Sequence, residues 1–314
     1  MMNFQRLLAA ALAAALVLTG AACSNSKKKD DAFTGPEKSE AQLRAEAAAL
    51  YKLARKSLDQ SDFTEAAERY DQLSKRYPFT DYATQGEIEK TYALYRGYDA
   101  DKALTAADKF IREHPRNPSI DYVQYLKGLT NFNREASFSS MLGVSSAKGD
   151  ITNYRRSYDD FALLIQKYPT SRYVGDSRQR MIYLRNILAE HELGVVEFYY
   201  GSRGAYLAAA KRAEQIVAQY PGAPASYRAL DLMEKSYRKA GLNQQADDAA
   251  RILAAQPSEA TLEKQSAAAD NSPSWIDRLL KRDAGTADAP APPAAADPNA
   301  AVVPSEPAAA ASTP

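Results

Sequence analysis

The chain has 314 residues, of which 45% are hydrophobic and 25% charged, a composition typical of a globular protein. Its formal net charge of +1 excludes a strongly basic surface, so no nucleic-acid partner is expected. The only cysteine, Cys23, excludes an intrachain disulfide and makes a metal–thiolate site improbable. The fold must therefore be held together by its packed core.

Residues 1–22 are predicted to be a cleaved secretory signal peptide. Arg6 precedes an apolar run from Leu7 to Thr19, which is too short for a comfortable permanent membrane span, and small residues follow it. Ordinary cleavage after residue 22 would release a soluble protein. A lipoprotein signal would instead make Cys23 the first residue and the carrier of a covalent lipid. We predict lipidation, although Gly20 stands where such signals usually carry Leu, because the single cysteine lies at the required position.

Residues 23–40 are predicted to be a lipidated, polar tether, because they lack hydrophobic periodicity. The run Lys27–Lys29 would either contact anionic lipid or be solvated, and the solvated tether is the simpler interpretation. Ser24 follows the cysteine, which resembles the sorting pattern of outer-membrane lipoproteins. The expected location is the cell outer membrane, lipid-anchored and facing the periplasm.

Residues 41–257 are predicted to form an all-α tetratricopeptide-repeat solenoid of about five helix-turn-helix units. The second helix of each unit carries a small residue, an aromatic or large apolar residue four positions on, an apolar residue three later and a proline five beyond. These sets are Ala66, Tyr70, Leu73 and Pro78; Ala103, Ala107, Phe110 and Pro115; Ser157, Phe161, Leu164 and Pro169; Ala209, Ala213, Ile216 and Pro221; and Gln245, Ala249, Ile252 and Pro257, where Gln245 is a weak match. Proline ends each second helix because it disfavours helical geometry in the preceding residue and lacks an amide donor.

The third and fourth units are longer than the others. In the third, residues 134–154 carry two glycines and five serines and predict a loop or short helix between the paired helices. In the fourth, one long helix is predicted from about Val174 to Tyr200. Such a helix would project beyond the stack and offer a platform for a partner.

Residues 258–314 are predicted to be a largely disordered tail, because their Ala- and Pro-rich sequence cannot bury enough apolar surface. Within the tail, a short amphipathic helix at 273–282 would place Trp275, Ile276, Leu279 and Leu280 on one face. That element would dock on the body, bind a partner, touch the membrane or remain disordered.

No catalytic motif emerges, so the chain is not expected to be an enzyme. His191 begins "HELGV", but Val195 stands where a zinc protease needs its second histidine. The adjacent acids Asp159 and Asp160 diverge on a helix and are expected on a solvated face. We predict no catalytic residue, no metal and no cofactor besides the lipid on Cys23.

Three motifs are more specific than a repeat demands: Tyr-Pro-Phe-x-x-Tyr at 77–82, Asp-Tyr-x-x-Tyr-x-x-Gly-Leu at 121–129 and Tyr-Tyr-x-x-Arg-Gly-Ala-Tyr at 199–206. With Cys23, they resemble the BamD (ComL-type) family, lipoproteins of the bacterial outer-membrane β-barrel assembly machine, over roughly residues 42–253. The resemblance implies a non-enzymatic scaffold whose C-terminal repeats bind the periplasmic POTRA region of a BamA-type barrel subunit. It also implies contacts with small accessory Bam lipoproteins, and N-terminal repeats that receive unfolded outer-membrane proteins.

A tyrosine-lined groove would suit client strands, which alternate apolar and polar residues and end in aromatics. The groove candidates are Tyr51, Phe79, Tyr82, Tyr92, Tyr95, Tyr122 and Tyr125, with burial in the repeat core as the alternative for each. For the barrel subunit, the candidates are Arg203, which could pair bidentately with an acidic partner, Tyr199 and Tyr206. An intramolecular cap or salt bridge is the alternative for Arg203.

A different function remains open: a tetratricopeptide lipoprotein could instead serve as a scaffold in peptidoglycan or polysaccharide export. The "RGAY" motif and the elongated fourth unit favour the assembly machine over export.

Overall fold

A computed structural model describes residues 38–142, 150–269 and 292–293. Within these ranges it contains eleven α-helices, one π-helical turn and no strand, which confirms the all-α class. The predicted signal peptide, Cys23 and most of the tether lie outside the described residues. The chain divides into two units, residues 1–46 and 47–314. In the first unit, an ion pair joins Lys38 Nζ to Glu46 Oε1 at 2.6 Å.

Ten helices follow one another as five pairs, and an eleventh comes after the last pair. The pairs are α1 (Glu40–Asp59) and α2 (Phe63–Arg76); α3 (Asp81–Arg96) and α4 (Ala100–Glu113); α5 (Ile120–Leu142) and α6 (Thr152–Lys167); α7 (Val174–Glu197) and α8 (Tyr206–Gln219); and α9 (Pro224–Lys239) and α10 (Asn243–Ala255), followed by α11 (Glu259–Ala269). From α2 to α10, every helix packs against the next. This is the order of contacts expected of stacked helix pairs.

Short polar side chains start three of these helices. Asp62, Thr80 and Asp99 precede α2, α3 and α4, and their side-chain oxygens accept the amides of Glu65, Ala83 and Lys102, respectively. Each cap satisfies an amide that the first helical turn leaves without an intrahelical partner.

The five predicted proline stops are confirmed, because α2, α4, α6, α8 and α10 each end two residues before the proline. In the first four, the residue before the proline leaves helical geometry, with φ between −135° and −122° and ψ between 52° and 61°. Its amide still donates to the carbonyl four residues earlier, as from Tyr77 to Leu73. One geometry therefore closes four of the five repeats.

The repeat positions are confirmed in the first four units, where their small, aromatic and apolar residues are all buried. The fifth unit corrects the prediction, because Gln245 and Ile252 are exposed. Ala246 is buried in place of Gln245, and Leu253 packs against the core in place of Ile252. The small and the last apolar position of this unit thus move by one residue, whereas Ala249 is buried as predicted. Consistent with this, Gln256 adopts an extended ψ of 149° rather than the cap of the other four units.

In the lengthened third and fourth units, the helices differ from the predicted ones in extent and position. The first part of the insert is helical, since α5 continues to Leu142. Helix α7 begins at Val174 as predicted but gives way to a π-helical turn at Phe198–Ser202. Its buried residues extend to Val196, and it contacts α6, α8, α9 and α11. The prediction of a helix projecting beyond the stack is therefore wrong, because neighbours cover α7 along its length.

Helix α11 corrects the predicted start of the tail at residue 258. It packs on α9 and α7, with Leu262 buried and an ion pair of 3.0 Å between Arg228 Nε and Glu259 Oε1. The helical body thus extends to Ala269, because α11 covers apolar surface that the last pair would leave open. The predicted helix at 273–282 lies outside the described residues.

Where α5 packs against α6, Gly128 leaves no room for a side chain. A Cβ placed on Gly128 would lie 2.4 Å from Cε1 of Phe161, whose ring is completely buried. At the same crossing, Ser157 Oγ donates to the Gly128 carbonyl at 2.9 Å. The absence of a side chain at residue 128 is therefore what allows this ring to fit.

We expect Gly128→Ala to lower the free energy of unfolding by about 1–3 kcal/mol, because the buried Phe161 ring cannot move away from the added methyl group. Chemical denaturation would measure the change. Gly194→Ala is the matched control, since a Cβ there meets nothing within 4 Å and α7 would gain roughly 0.5–1 kcal/mol from alanine. Equal effects of both substitutions would contradict the packing argument.

Candidate functional site

The turn between α2 and α3 exposes an aromatic surface. The Phe79 side chain is fully exposed there, directly after the proline that ends α2. Tyr82, in the first turn of α3, is half-buried, and its ring centroid lies 5.5 Å from that of the half-buried Tyr51 on α1. These three are the predicted groove residues that reach the surface, and we call them the N-terminal aromatic patch.

The other four groove candidates are packing residues, which corrects their assignment to an open groove. They are Tyr92, Tyr95, Tyr122 and Tyr125, none of which exposes more than 6% of its surface. Tyr125 donates to Asp176 Oδ2 at 2.6 Å and stacks on Tyr173 with ring centroids 4.7 Å apart. The physical reason is that helix packing buries these rings and leaves only their hydroxyls to be satisfied by polar partners.

A buried carboxylate lies beneath the aromatic patch. Glu89 on α3 has no exposed surface, and four side chains donate to it. The donors are Tyr51 at 2.7 Å, Arg55 at 3.0 Å, Gln85 at 2.9 Å and Tyr70. Burying a charge is costly unless it is paired and hydrogen-bonded, and here both conditions are met. The network therefore ties α1, α2 and α3 together under the patch.

The same network acts on the two tyrosines. Burial raises the pKa of Tyr51 and of Tyr70 well above the ordinary value, and the negative charge of Glu89 raises both further. Both hydroxyls thus stay protonated and remain donors over the physiological pH range. Ordinary changes of pH therefore do not remove the hydrogen bonds that the two tyrosines donate to Glu89.

A second buried acid departs from the sequence prediction. Asp160 was expected on a solvated face, but α6 buries it against α5. Asn131 Nδ2 donates to its carboxylate at 2.8 Å, and Lys127 Nζ lies 3.3 Å away. Burial raises the pKa of Asp160, while the positive charge of Lys127 opposes the rise. This acid is therefore a packing residue with partners in its own chain.

The corner between α7 and α8 presents a different kind of surface. The chain widens into the π-helical turn Phe198–Ser202 and then reverses at Gly204, which has a φ of +59°. That φ lies in the left-handed region that glycine adopts without strain. π-Helical turns often occur at functional sites. The turn holds the third sequence motif at an exposed corner.

Arg203 extends from this corner into solvent. Its guanidinium carbon lies 5.6 Å from the centroid of the Phe198 ring, and among the described residues Arg203 has no ion-pair partner. The alternative of an internal salt bridge is therefore not found within that part of the chain. An exposed guanidinium supported by a ring is well suited to pair with an acid from outside.

The two tyrosines predicted beside Arg203 brace the corner. Tyr199 is half-buried under the guanidinium of Arg212 at 5.2 Å, and the ring of half-buried Tyr206 lies 5.6 Å from that of Tyr200. Sequence reasoning missed Phe198 and Leu207, which are 48% and 53% exposed. Their position next to the Gly-rich turn was the available signal. Phe198, Arg203 and Leu207 form what we call the α7–α8 corner patch.

One cluster of potential metal ligands appears in the described residues. Ligand atoms of Glu87, Glu113 and His114 lie within 4.8 Å of one another. His114 Nε2 is 2.9 Å from Glu87 Oε2, and Lys109 Nζ is 3.7 Å from a carboxylate oxygen of each glutamate. The lysine makes this group an ion-pair cluster, because its charge competes with that of a cation.

None of the helices in the described ranges has the length and apolar character needed to cross a bilayer. The membrane attachment predicted from the sequence depends on Cys23, which lies outside those ranges.

Comparison with known proteins finds similarity to a family of outer membrane lipoproteins. A family model described as YfiO, outer membrane lipoprotein, matches residues 44–252. An outer membrane protein assembly factor BamD from Neisseria meningitidis serogroup A is 38% identical over 65% of this chain and 76% of its own length. Its counterpart from Xylella fastidiosa Temecula1 is 31% identical over 79% of this chain and 80% of its own length.

Among solved structures, a tetratricopeptide repeat protein from Parabacteroides merdae is similar with a TM-score of 0.30 and 14% identity. The similarity covers 76% of this chain and 98% of that one.

We expect Glu89→Gln to lower the free energy of unfolding by about 2–4 kcal/mol, because it removes the charge that Arg55 pairs with and sets an amide nitrogen against hydroxyl donors. Urea denaturation would measure the loss. The control is Asp231→Asn, which breaks an exposed 2.7 Å pair with Lys235 and should cost about 0–1 kcal/mol. A loss for Glu89→Gln no larger than the control would contradict the role of the buried carboxylate.

Proposed function

Because this chain belongs to the YfiO family of outer membrane lipoproteins, we propose that it is a non-enzymatic scaffold of the machinery that folds and inserts outer-membrane β-barrel proteins. Family membership is the single observation that carries this proposal, since the family relatives are named outer membrane protein assembly factors. It favours assembly over the peptidoglycan or polysaccharide export alternative. The buried acids Glu89 and Asp160 support a scaffold role, because donors of the same chain occupy both.

The anchor in this proposal is a lipid on Cys23, which would hold the chain at the outer membrane facing the periplasm. The apolar run that precedes Cys23 and the family's description as lipoproteins support it. Several acyl chains hold a protein at a membrane far more firmly than one. The intact mass of the mature protein extracted from membranes tests the anchor, and an unmodified Cys23 would contradict it.

For the barrel subunit, we assign the α7–α8 corner patch. Exposed apolar side chains beside an exposed arginine have the composition of protein-binding hot spots. The partner implied by this surface has an acidic group for Arg203 and an apolar contact for Phe198 and Leu207. The periplasmic POTRA region of a BamA-type barrel subunit is the proposed partner, and small accessory Bam lipoproteins are further expected partners.

For unfolded outer-membrane clients, we assign the N-terminal aromatic patch of Tyr51, Phe79 and Tyr82. A client strand that alternates apolar and polar residues can place an aromatic side chain against the exposed Phe79 ring. The Glu89 network supports the patch from beneath by fixing the Tyr51 hydroxyl. A rigid aromatic surface binds with less loss of side-chain entropy than a mobile one.

We expect Arg203→Glu to remove the barrel subunit from the material that co-purifies with the chain from mildly solubilised membranes. Charge reversal at a hot spot costs about 2 kcal/mol or more, which is more than tenfold in affinity. The melting temperature should not change, because the Arg203 side chain is exposed.

The control for this substitution is Arg116→Glu, which reverses an exposed arginine in the turn before α5. Retention of the barrel subunit by Arg203→Glu, or its loss from both variants, would overturn the assignment of the corner patch.

We expect Phe79→Ala to weaken binding of a synthetic peptide that alternates apolar and polar residues and ends in phenylalanine, by about tenfold. Fluorescence anisotropy of the labelled peptide would measure the affinity. Ile252→Ala, which removes a 45% exposed apolar side chain from α10, should leave the affinity unchanged. Equal affinities of wild type and Phe79→Ala would show that clients do not use this patch.

A further inference from the structure

Two residues of the C-terminal tail lie against the helical body. Gln85 Nε2 on α3 donates to the carbonyl oxygen of Pro293 at 2.9 Å. Pro292 is buried and Pro293 is half-buried. The contact joins residues 208 positions apart in the sequence. The tail thus has a defined place on the repeats at this one point.

Pro293 forms part of the wall of a cavity of about 540 Å³. The rest of the wall consists of residues 118–121, before and at the start of α5, and residues 167–173, between α6 and α7. Tyr168 and Tyr173 belong to this wall, and the Arg172 guanidinium carbon lies 4.9 Å from the centroid of the Tyr173 ring. Grooves lined by aromatic rings are the common recognition sites for proline-rich segments.

The Gln85 amide is oriented before any ligand reaches it. Its nitrogen carries two hydrogens, and the same nitrogen also donates to the buried Glu89 Oε1 at 2.9 Å. The second hydrogen is left for a carbonyl oxygen from outside the helix. A donor of this kind binds the backbone of an extended peptide, and a proline loses nothing there because it keeps its carbonyl.

The tail segment around Pro293 is suited to this position by its proline-rich sequence and by the length of the chain that connects it to α11. Residues 289–293 read Ala-Pro-Ala-Pro-Pro, which favours the extended polyproline II conformation and so loses little entropy on binding. Residues 270–291 separate α11 from the contact, and a chain of that length can span roughly 75 Å when fully extended.

We propose that the face where Pro293 meets Gln85 and the residues lining this cavity is a docking site for an extended, proline-bearing peptide, and that its occupant in the free protein is the chain's own segment Pro292–Pro293. The tail would then compete in cis with any client segment that entered the cavity, a consequence that rests on the client role proposed above.

Cross-linking in the full-length chain tests the docking. In a Cys23→Ser background, Thr170→Cys and Pro293→Cys would introduce two thiols at the cavity, and Pro293→Cys keeps the carbonyl that accepts from Gln85. A short bis-maleimide should join them within one molecule. The control pair is Ser202→Cys with Pro293→Cys, since Ser202 is exposed on the π-helical turn and does not line the cavity.

We expect a several-fold higher intramolecular yield for the Thr170 pair than for the Ser202 pair, and a lower yield when Gln85→Leu is added. Gln244→Leu, on an exposed position of α10, should leave the yield unchanged. Equal yields from the two pairs, or cross-links only between molecules, would overturn the proposal.

Competition tests the chemistry of the ligand. An excess of a synthetic peptide of residues 287–298 should lower the yield, whereas the same peptide with Pro290, Pro292 and Pro293 replaced by alanine should not. Equal effects of the two peptides would overturn the preference for proline. If a client peptide binds the chain without lowering the yield, the tail does not compete with clients. That result would leave the docking of the tail itself to be decided by the cross-linking yields.

Discussion

In each helix pair, the two helices can approach only where one of them carries a small side chain, and the rest of the packing follows from that contact. The positions are Ala66, Ala103, Ser157, Ala209 and Ala246, all buried completely or nearly so. At Gly128 even a methyl group is too large, because the Phe161 ring occupies the space that it would need. Interiors are packed too densely to absorb such a change without strain. The spacing set at these points decides which neighbouring rings are buried and which are left for partners.

The interior differs between two regions of the helical body. Between α1, α2 and α3 the interior holds a carboxylate, and tyrosines serve as both core residues and donors to it. At the α7–α8 corner the interior is apolar, with Leu193 and Val196 buried, and the polar group is Arg203 outside. A buried, satisfied charge fixes the geometry of the elements around it, whereas an exposed charge on an apolar surface is available to another molecule. The side chains around Glu89 therefore hold α1, α2 and α3 together, whereas Arg203 is exposed for the partner proposed above.

How much the sequence could predict depended on whether a feature is local. Proline stops act through the dihedrals of one neighbouring residue, so the ends of five helices followed from the printed sequence. The face on which Tyr92 or Tyr122 lies depends on which helices pack around it, and the 3.6-residue period alone left both burial and exposure open. In the fifth unit Ala249 is buried as predicted, so the pattern gave no sign that Ala246 and Leu253, rather than Gln245 and Ile252, would face the core. The contact of Pro293 with Gln85 carries no local signal at all, since its partners are 208 residues apart.

The hydrogen bond from Gln85 to the tail involves a ligand that belongs to the same chain, and this determines the concentration at which a free peptide could replace it. A ligand that belongs to the same chain is present at an effective concentration set by the connecting segment, which for short linkers is in the range of about 1 mM and does not change when the protein is diluted. A weak contact of this kind is enough to keep a site filled. A free peptide can occupy the site only in excess over that effective concentration, by binding much more tightly than the tail, or by arriving already held close to the protein. Such a site would respond to tethered ligands, such as a chain handed over within one assembly, at overall concentrations where the same sequence free in solution leaves the tail in place.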